Sequence, residues 1–351
     1  MATRDKCNRT PLGTVAKAEQ DSPAEDLSVT GLLRDGMESV PARFIRTESE
    51  LASFCPHNSM ALEPIPMIDI EGLHDYRCQF TMAAISSACR HWGCFQVVNH
   101  DIPQPVLDAA LKAARDFFEM PSKEKQSYEK ETSESNGSDN GIQSLESKDK
   151  VVDWGDVMFH EDLKNWPANP PDYKNAMLSY ARESQKVMEK LLDVVSKELR
   201  LVPTYFRDLF GDFEQSLRVN HYPPCPQPEL VLGLRPHTDP VVFTALLEDQ
   251  TRGLQVRNGD KWVTVDPEPD ALVIFVGEQL QVASNGRYTA VTHRAVVNKT
   301  TDRISIAMGL APNSKVLVRP APELLEKSSP PRYEARTYGE FRATVSHGVR
   351  W

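Results

Sequence analysis

The spacing of apolar residues divides the chain into a helical first part and a β-rich second part. Apolar residues recur at helical intervals in three segments, each predicted to form an amphipathic helix: residues 76–92, 103–120 and 173–201. Short apolar runs typical of strands lie at 63–73 and 93–100. From residue 216 onward, apolar runs alternate with turn residues and predict a series of strands: 253–265, 270–277, 284–298 and 302–310.

The order of these elements predicts an α+β fold. Helices first and antiparallel strands second favour a double-stranded β-helix, or jelly roll, with flanking helices from the N-terminal region. Asn258-Gly259 predicts a hairpin with a type I′ turn, because both central residues of that turn need a positive φ. Residues 129–150 almost lack apolar side chains and are predicted to form a mobile surface loop. We expect three regions in the chain: a disordered leader over 1–35, a helical region over 36–200, and the jelly-roll domain with its C-terminal segment over 201–351.

The charge balance and the cysteines narrow the class of protein. The chain has 351 residues, with 40 Lys+Arg against 50 Asp+Glu and a net charge of -10, which disfavours nucleic acid or an anionic membrane as a partner. No apolar run approaches the ~18 residues of a membrane span. We therefore expect a cytoplasmic protein, monomeric by default, that acts on a small molecule. The cysteines show no zinc spacing and indicate free thiols in a reducing compartment: Cys7, Cys55, Cys78, Cys89, Cys94 and Cys225.

Candidate metal ligands lie in the second half of the chain. His237 and Asp239 are two residues apart, so in an extended strand their side chains point to the same side. His293, in another predicted strand, is the third candidate. A single histidine in a strand is more often structural than a ligand. Two imidazoles and one carboxylate together are typical of the facial triad of non-haem Fe(II) oxygenases.

Two further pairs of residues share this two-residue spacing. Arg303 and Ser305 would face one side of a strand, where a buried guanidinium needs an anion and matches a carboxylate in bidentate fashion. A dicarboxylate co-substrate is one such anion, and an internal salt bridge to an acidic residue is the alternative. Asn220 and Tyr222 form the second pair, in which the phenol can donate to another carboxylate. His221 would point away and receives no catalytic role.

The chain resembles the plant-type 2-oxoglutarate/Fe(II)-dependent dioxygenases from about Val40 to Gly339. The resemblance rests on blocks in the order of that family, among them "IPMIDI", "NHYPPCPQPEL", "LGLRPHTDP", "HRAVVN" and "DRIS". It implies oxidative decarboxylation of 2-oxoglutarate to succinate with O2, coupled to hydroxylation or desaturation of a substrate, with ascorbate as a supporting reductant. It also implies two sets of site residues. Fe(II) would be held by His237, Asp239 and His293. 2-Oxoglutarate would be held by Arg303, Ser305 and Tyr222, with Asn220 close by.

Departures from the family pattern bear on the substrate. Gly309 stands where the family commonly has a Phe that stacks on a flat substrate, and Val157 stands where an aromatic residue can occur. Phe159 and Arg218 remain as predicted walls of the substrate pocket. The leading hypothesis is a small plant metabolite, with a flavonoid of the flavanone type as the best single choice. A hormone-modifying oxidase for gibberellin, auxin, salicylate or jasmonate is the alternative, because Arg218 suits a carboxylate. A non-catalytic jelly-roll binding protein is a third.

Overall fold

The computed structural model describes residues 28–34, 36–52, 63–121, 124–125, 128, 141–142, 151–164 and 166–345. Most of the predicted leader and most of the predicted loop 129–150 lie outside these residues. The proposed domain boundary at residue 200 stays a prediction.

Most of the strands belong to two sheets that face each other. In chain order they are β1 (Met67–Asp69), β2 (Cys94–Val98), β3 (Gly141–Ile142), β4 (Asp156–Glu161), β5 (Phe213–Tyr222), β6 (Leu234–His237), β7 (Phe243–Glu248), β8 (Leu254–Asn258), β9 (Lys261–Thr264), β10 (Leu272–Val276), β11 (His293–Ala295), β12 (Arg303–Pro312), β13 (Leu317–Val318) and β14 (Arg336–Thr337). The major sheet has the order β1-β2-β10-β7-β12-β5-β4-β3, the minor sheet has the order β6-β11-β8-β9, and β13 pairs with β14. Every pair is antiparallel except β1 with β2. This arrangement confirms the predicted jelly roll.

The fold also contains helices, of which the three longest pack on the outer face of the major sheet. Those described are α1 (Val29–Arg34), α2 (Glu48–Ala52), α3 (Cys78–His91), α4 (Gln104–Glu119), α5 (Tyr173–Glu198), α6 (Tyr205–Phe210), α7 (Glu278–Ala283) and α8 (Tyr338–Val345). The three predicted amphipathic helices are confirmed as α3, α4 and α5. None of the described helices combines the length and the apolar character that a membrane-spanning segment requires.

The long helix α5 joins the main hydrophobic core to the sheet. Its apolar side chains pack with the outward-facing Ile304 and Ile306 of β12. The buried Tyr180 hydroxyl donates to the carbonyl oxygen of Ala245 in β7 at 2.9 Å. Because side chains alternate along β12, burying these isoleucines under the helices turns Arg303 and Ser305 toward the space between the two sheets. A smaller apolar cluster that includes Leu246, Val256 and Phe275 fills part of that space.

Two predictions about the β region need correction. The predicted strand 284–298 is formed only at His293–Ala295 and is preceded by α7 and a turn. Asn285 and Gly286 have φ values of 54° and 73°, a left-handed conformation that a strand does not accommodate. The predicted hairpin forms, but Asn258 pairs with Lys261, so the turn is centred on the two residues between them. Only Gly259 of these has a positive φ, as in a type II′ turn.

The end of the predicted leader is helical. Helix α1 begins at Val29, whose buried side chain belongs to a cluster with Phe44 and Trp154. The backbone N–H groups of Val29 and Thr30 donate to the Asp156 carboxylate at 2.8 Å and 3.2 Å. A carboxylate from distant β4 therefore satisfies the first N–H groups of the helix. A local sequence pattern does not contain this contact, which explains why disorder was predicted here.

Candidate active site

The three candidate metal ligands meet between the two sheets. His237 ends β6 and pairs directly with His293 at the start of β11, and Asp239 lies two residues beyond β6. The Nε2 atom of each imidazole lies 3.6 Å from Asp239 Oδ1. The ligand atoms all lie within 4.8 Å of one another, close enough to bind one cation. All three residues were predicted from the sequence, and the pairing of β6 with β11 brings them together.

Hydrogen bonds orient both imidazoles. Nδ1 of His237 lies 2.9 Å from the carbonyl oxygen of Arg235, and Nδ1 of His293 lies 3.3 Å from that of Val291. A proton on Nδ1 satisfies each carbonyl and leaves the Nε2 lone pair for a metal. Burial and the neighbouring His293 imidazole lower the pKa of His237 to about 3, so this ring is neutral near pH 7.

The carboxylate of Asp239 completes the donor set. It is 2% exposed, and its Oδ2 atom has no hydrogen-bond partner among the described residues. A buried, unpaired carboxylate oxygen is costly unless a cation compensates it. Two imidazoles and one carboxylate on one side of the site fit a divalent transition metal such as Fe(II). The Glu278 N–H donates to the carbonyl oxygen of Asp239 at 2.8 Å and so holds this segment in place.

A basic pocket lies beside the triad on the major sheet. In the register of β5 and β12, Arg303 is opposite Tyr222 and Ser305 is opposite Asn220. All four residues line one cavity together with the metal triad, as the two-residue spacing predicted. The Arg303 guanidinium carbon lies 5.3 Å from the centroid of the Tyr222 ring. Among the residues that the structure describes, none accepts a hydrogen bond from the buried Arg303 Nε, so a donor remains for an anion.

Arg303 also forms the internal salt bridge that the sequence left open as an alternative. Its Nη2 atom donates to Glu248 Oε2 at 2.6 Å, and the two side chains are only 3% and 5% exposed. Burial alone would lower the pKa of Arg303, but the Glu248 carboxylate raises it. Glu248 was not among the predicted site residues, because an acidic residue at the end of an apolar run normally marks an exposed strand end. The ion pair and the anion site are therefore both present at Arg303.

Arg218 is the next inward-facing residue of β5 and connects to the Asn220 and Ser305 pair. Its Nε donates to Asn220 Oδ1 at 2.9 Å, and Asn220 Nδ2 donates to Ser305 Oγ at 3.3 Å. Arg218 is only 5% exposed, and its Nη1 atom has no hydrogen-bond partner within the described residues. Burial lowers the pKa of Arg218. An anion in the cavity would compensate this guanidinium.

The cavity lies between the two sheets and opens to solvent. Arg218 lines it, as predicted, and Arg294, which sequence analysis did not identify, lines it as well. The Arg294 guanidinium is held at 4.0 Å from the centroid of the Trp262 ring. Because His293 faces the cavity, alternation along β11 turns the Arg294 side chain to the other face of the minor sheet, where its Nε donates to Gln255 at 2.8 Å.

The other predicted wall residues lie beside this cavity and do not line it. Val157 and Phe159 of β4 are opposite Asn220 and Arg218 and are almost buried. A Cβ atom added at Gly309 would lie 2.8 Å from Ser216 Oγ, so a larger side chain there requires Ser216 to move. The prediction for these three positions is therefore not supported by the shape of the cavity.

His221 points away from the cavity, as predicted. Its ring stacks on Phe118 of α4 with a centroid distance of 5.2 Å. Its nitrogen atoms lie 3.9 Å and 3.5 Å from carboxylate oxygens of Asp156 and Asp302. His221 therefore connects β5 to helix α4 on the outer face of the major sheet and to Asp156 of β4.

Comparison with known proteins agrees with this geometry. The family model of the 2OG-Fe(II) oxygenase superfamily matches residues 213–312, and that of the non-haem dioxygenase in morphine synthesis N-terminal region matches residues 65–179. Jasmonate-induced oxygenase 2 of Arabidopsis thaliana is 38% identical over 338 residues, which span 92% of this chain and 90% of that protein. The chain belongs to the 2OG-Fe(II) oxygenase superfamily. Flavanone 3-dioxygenase 2 of Oryza sativa subsp. japonica is 36% identical to the oxygenase over 320 residues, 87% of this chain and 89% of that protein.

Solved structures of dioxygenases also resemble this chain. A crystal structure of JOX2 in complex with 2OG, Fe and JA matches the oxygenase with a TM-score of 0.81 at 37% identity, covering 91% of this chain and 93% of that chain. A dioxygenase for auxin oxidation in rice matches with a TM-score of 0.69 at 26% identity, covering 82% and 96%. The oxygenase is thus an enzyme of the plant type that uses Fe(II) and 2-oxoglutarate. This confirms the resemblance and argues against a non-catalytic binding protein.

Proposed function

We propose that the oxygenase hydroxylates a small molecule that carries a carboxylate, with jasmonate as the substrate class. The observation that carries this proposal is the buried guanidinium of Arg218, which lines the cavity of the metal triad and whose Nη1 atom has no hydrogen-bond partner in the described part of the chain. A buried cation favours an anionic ligand, and the planar guanidinium suits a carboxylate. Ligands without a negative charge would leave Arg218 uncompensated.

The proposed division of roles follows the two sides of the cavity. His237, Asp239 and His293 hold iron, which when bound supplies the site where O2 is reduced as 2-oxoglutarate loses CO2 and becomes succinate. Arg303, Ser305 and Tyr222 hold the far carboxylate of 2-oxoglutarate. In this scheme the donor that Arg303 Nε leaves available binds that carboxylate.

Asn220 and Arg218 then separate co-substrate from substrate. Asn220 donates to Ser305 and accepts from Arg218, which fixes the direction of the guanidinium. Arg218 binds the substrate carboxylate and thereby positions a C–H bond of the substrate near the metal. The product gains one oxygen atom as a hydroxyl group.

The relatives support the same substrate class. Jasmonate-induced oxygenase 2 is similar over most of both chains, and JOX2 has been crystallised with JA. A flavanone is the second candidate, because Flavanone 3-dioxygenase 2 is similar over nearly the same length. The cavity favours the carboxylate. Among the described residues, its phenylalanine and tyrosine lining consists of Tyr222 and Phe275, and these rings already contact Arg303 and His293.

The test is an assay that reads succinate and product mass together. The protein is loaded anaerobically with Fe(II) and 2-oxoglutarate, mixed with one candidate substrate, and exposed to air. The candidates are jasmonate, indole-3-acetate, salicylate, a gibberellin, a flavanone and a dihydroflavonol. We expect jasmonate to couple succinate to a product that has gained one oxygen atom. Turnover of a flavanone with no turnover of any carboxylate would refute the proposal.

A further inference from the structure

Glu248 is a buried acidic residue next to the proposed 2-oxoglutarate site, in addition to Asp239 of the metal triad. It is the last residue of β7 and lies opposite Ser305 in the register of β7 and β12. One of its oxygens, Oε2, accepts a hydrogen bond from Arg303 at 2.6 Å. The other, Oε1, is buried without a hydrogen-bond partner among the described residues. Arg303 is therefore neutralised before a co-substrate arrives.

The charges at this position do not balance once a co-substrate binds. Arg303 contributes one positive charge and Glu248 one negative charge, so a carboxylate that binds Arg303 brings a second negative charge to the same guanidinium. Asp249, next along the chain, also acts on Glu248 with the same sign. Repulsion between like charges at low dielectric opposes binding of the added carboxylate.

We propose that Glu248, which holds Nη2 of Arg303, competes electrostatically with a co-substrate carboxylate at Nε of the same guanidinium and thereby sets the concentration of 2-oxoglutarate at which the oxygenase works. This inference rests on the proposed role of Arg303 in holding 2-oxoglutarate. Glu248 is a positioning residue in this scheme, because it acts through Arg303. The enzyme needs more 2-oxoglutarate than an enzyme with a neutral residue at this position.

The surroundings of Glu248 support this competition. Burial raises the pKa of the Glu248 carboxyl, although Arg303 opposes the shift, and Asp249 adds to it. Arg303 from β12 faces it directly, and Tyr222 from β5 lies beneath that guanidinium. A second carboxylate would raise this pKa further, so Glu248 becomes easier to protonate when 2-oxoglutarate binds. Binding is then coupled to proton uptake.

The decisive variant is Glu248→Gln, which keeps the shape and an acceptor oxygen for Arg303 but removes the charge. We expect the KM for 2-oxoglutarate to fall by about tenfold, because repulsion between two carboxylates in a poorly screened site is removed. The kcat should stay close to that of the wild type. Calorimetry without O2, with Mn(II) in place of Fe(II), should show the same gain in affinity for 2-oxoglutarate.

Two further variants control for charge and shape. Glu214→Gln makes the same change of charge in a half-buried residue at the far end of β5, where Glu214 accepts from Asn313 at 2.8 Å, and it should leave the KM unchanged. Glu248→Asp keeps the charge and should not lower the KM. An unchanged or raised KM in Glu248→Gln overturns the inference and assigns Glu248 to orienting Arg303.

Two measurements keep the inference separable from the proposed function. If Arg303→Ala leaves the KM for 2-oxoglutarate unchanged, the role of Arg303 is wrong. If Arg303→Ala raises that KM and Glu248→Gln does not lower it, only the inference fails.

Should Glu248→Gln not fold, calorimetry on the wild type decides. The affinity for 2-oxoglutarate must then fall as pH rises through the pKa of Glu248, because the proton that relieves the repulsion is lost. An affinity independent of pH overturns the inference.

Discussion

Replacing Arg218 by Gln tests whether this guanidinium recognises a substrate carboxylate. Gln can still contact Asn220, so the change mainly removes the buried charge and the unpaired Nη1 donor. A hydrogen bond to a charged partner contributes about 1.5–3 kcal/mol. Since about 1.4 kcal/mol corresponds to tenfold in affinity, the KM for jasmonate should rise by about 10- to 150-fold.

The assay compares two ligands on two proteins. Jasmonate and its methyl ester differ in charge and hardly in shape, so the ratio of their kcat/KM values measures recognition of the carboxylate. We expect the wild type to prefer the acid and Arg218→Gln to lose most of that preference, which gives a double-mutant cycle between protein and ligand. The melting temperature of each protein serves as the control for folding. An acid-to-ester ratio that is equal in both proteins would refute the role given to Arg218.

Further predictions concern the metal, the co-substrate and pH. His237→Ala and Asp239→Ala should abolish substrate-dependent succinate formation, and a chelator should lower the melting temperature of the wild type but not of either variant, because only the wild type gains stability from the metal. Arg303→Ala should raise the KM for 2-oxoglutarate by about tenfold or more, measured from succinate, through loss of a charge-assisted contact. Burial alone would lower the pKa of His221, but its two flanking carboxylates raise it above 6.5. The two carboxylates therefore stabilise the folded protein fully at pH values below 6.5, and this stabilisation is lost as the pH rises through the raised pKa of His221. The decrease in the free energy of unfolding caused by His221→Asn should accordingly be larger at about pH 6 than at about pH 9. A loss independent of pH would contradict this.

Alternation along a strand made part of the site predictable. The pairs Arg303 with Ser305 and Asn220 with Tyr222 face the cavity because their strand neighbours point to the other side, where Val219, Ile304 and Ile306 lie in the core. Which strands come together was not contained in the local pattern, since the register between β5, β7 and β12 joins segments far apart in sequence. Glu248 shows what the local pattern could not predict, because only the pairing of β7 with β12 buries this residue beside Arg303.

Two local predictions failed for a related reason. Helix α7 has only six residues, too few for a helical period to appear in the sequence. The turn after this helix depends on Asn285 and Gly286, which have a left-handed backbone conformation. A strand was predicted there because apolar residues alternate later in the same segment. Helix α1 likewise depends on the distant Asp156 carboxylate. Short elements whose partners lie far away are decided by tertiary contacts.

The two faces of β12 restrict how this enzyme can evolve. Ile304 and Ile306 lie in the core while Arg303 and Ser305 face the cavity, and adjacent β5 is divided in the same way. Inserting or deleting one residue in either strand would exchange these faces, placing charged groups under the helices and apolar groups beside the metal. Both strands should therefore change by substitution and keep their length among descendants of this chain. New substrate preferences would then arise at single inward positions such as Arg218, without loss of the residues that bind the co-substrate.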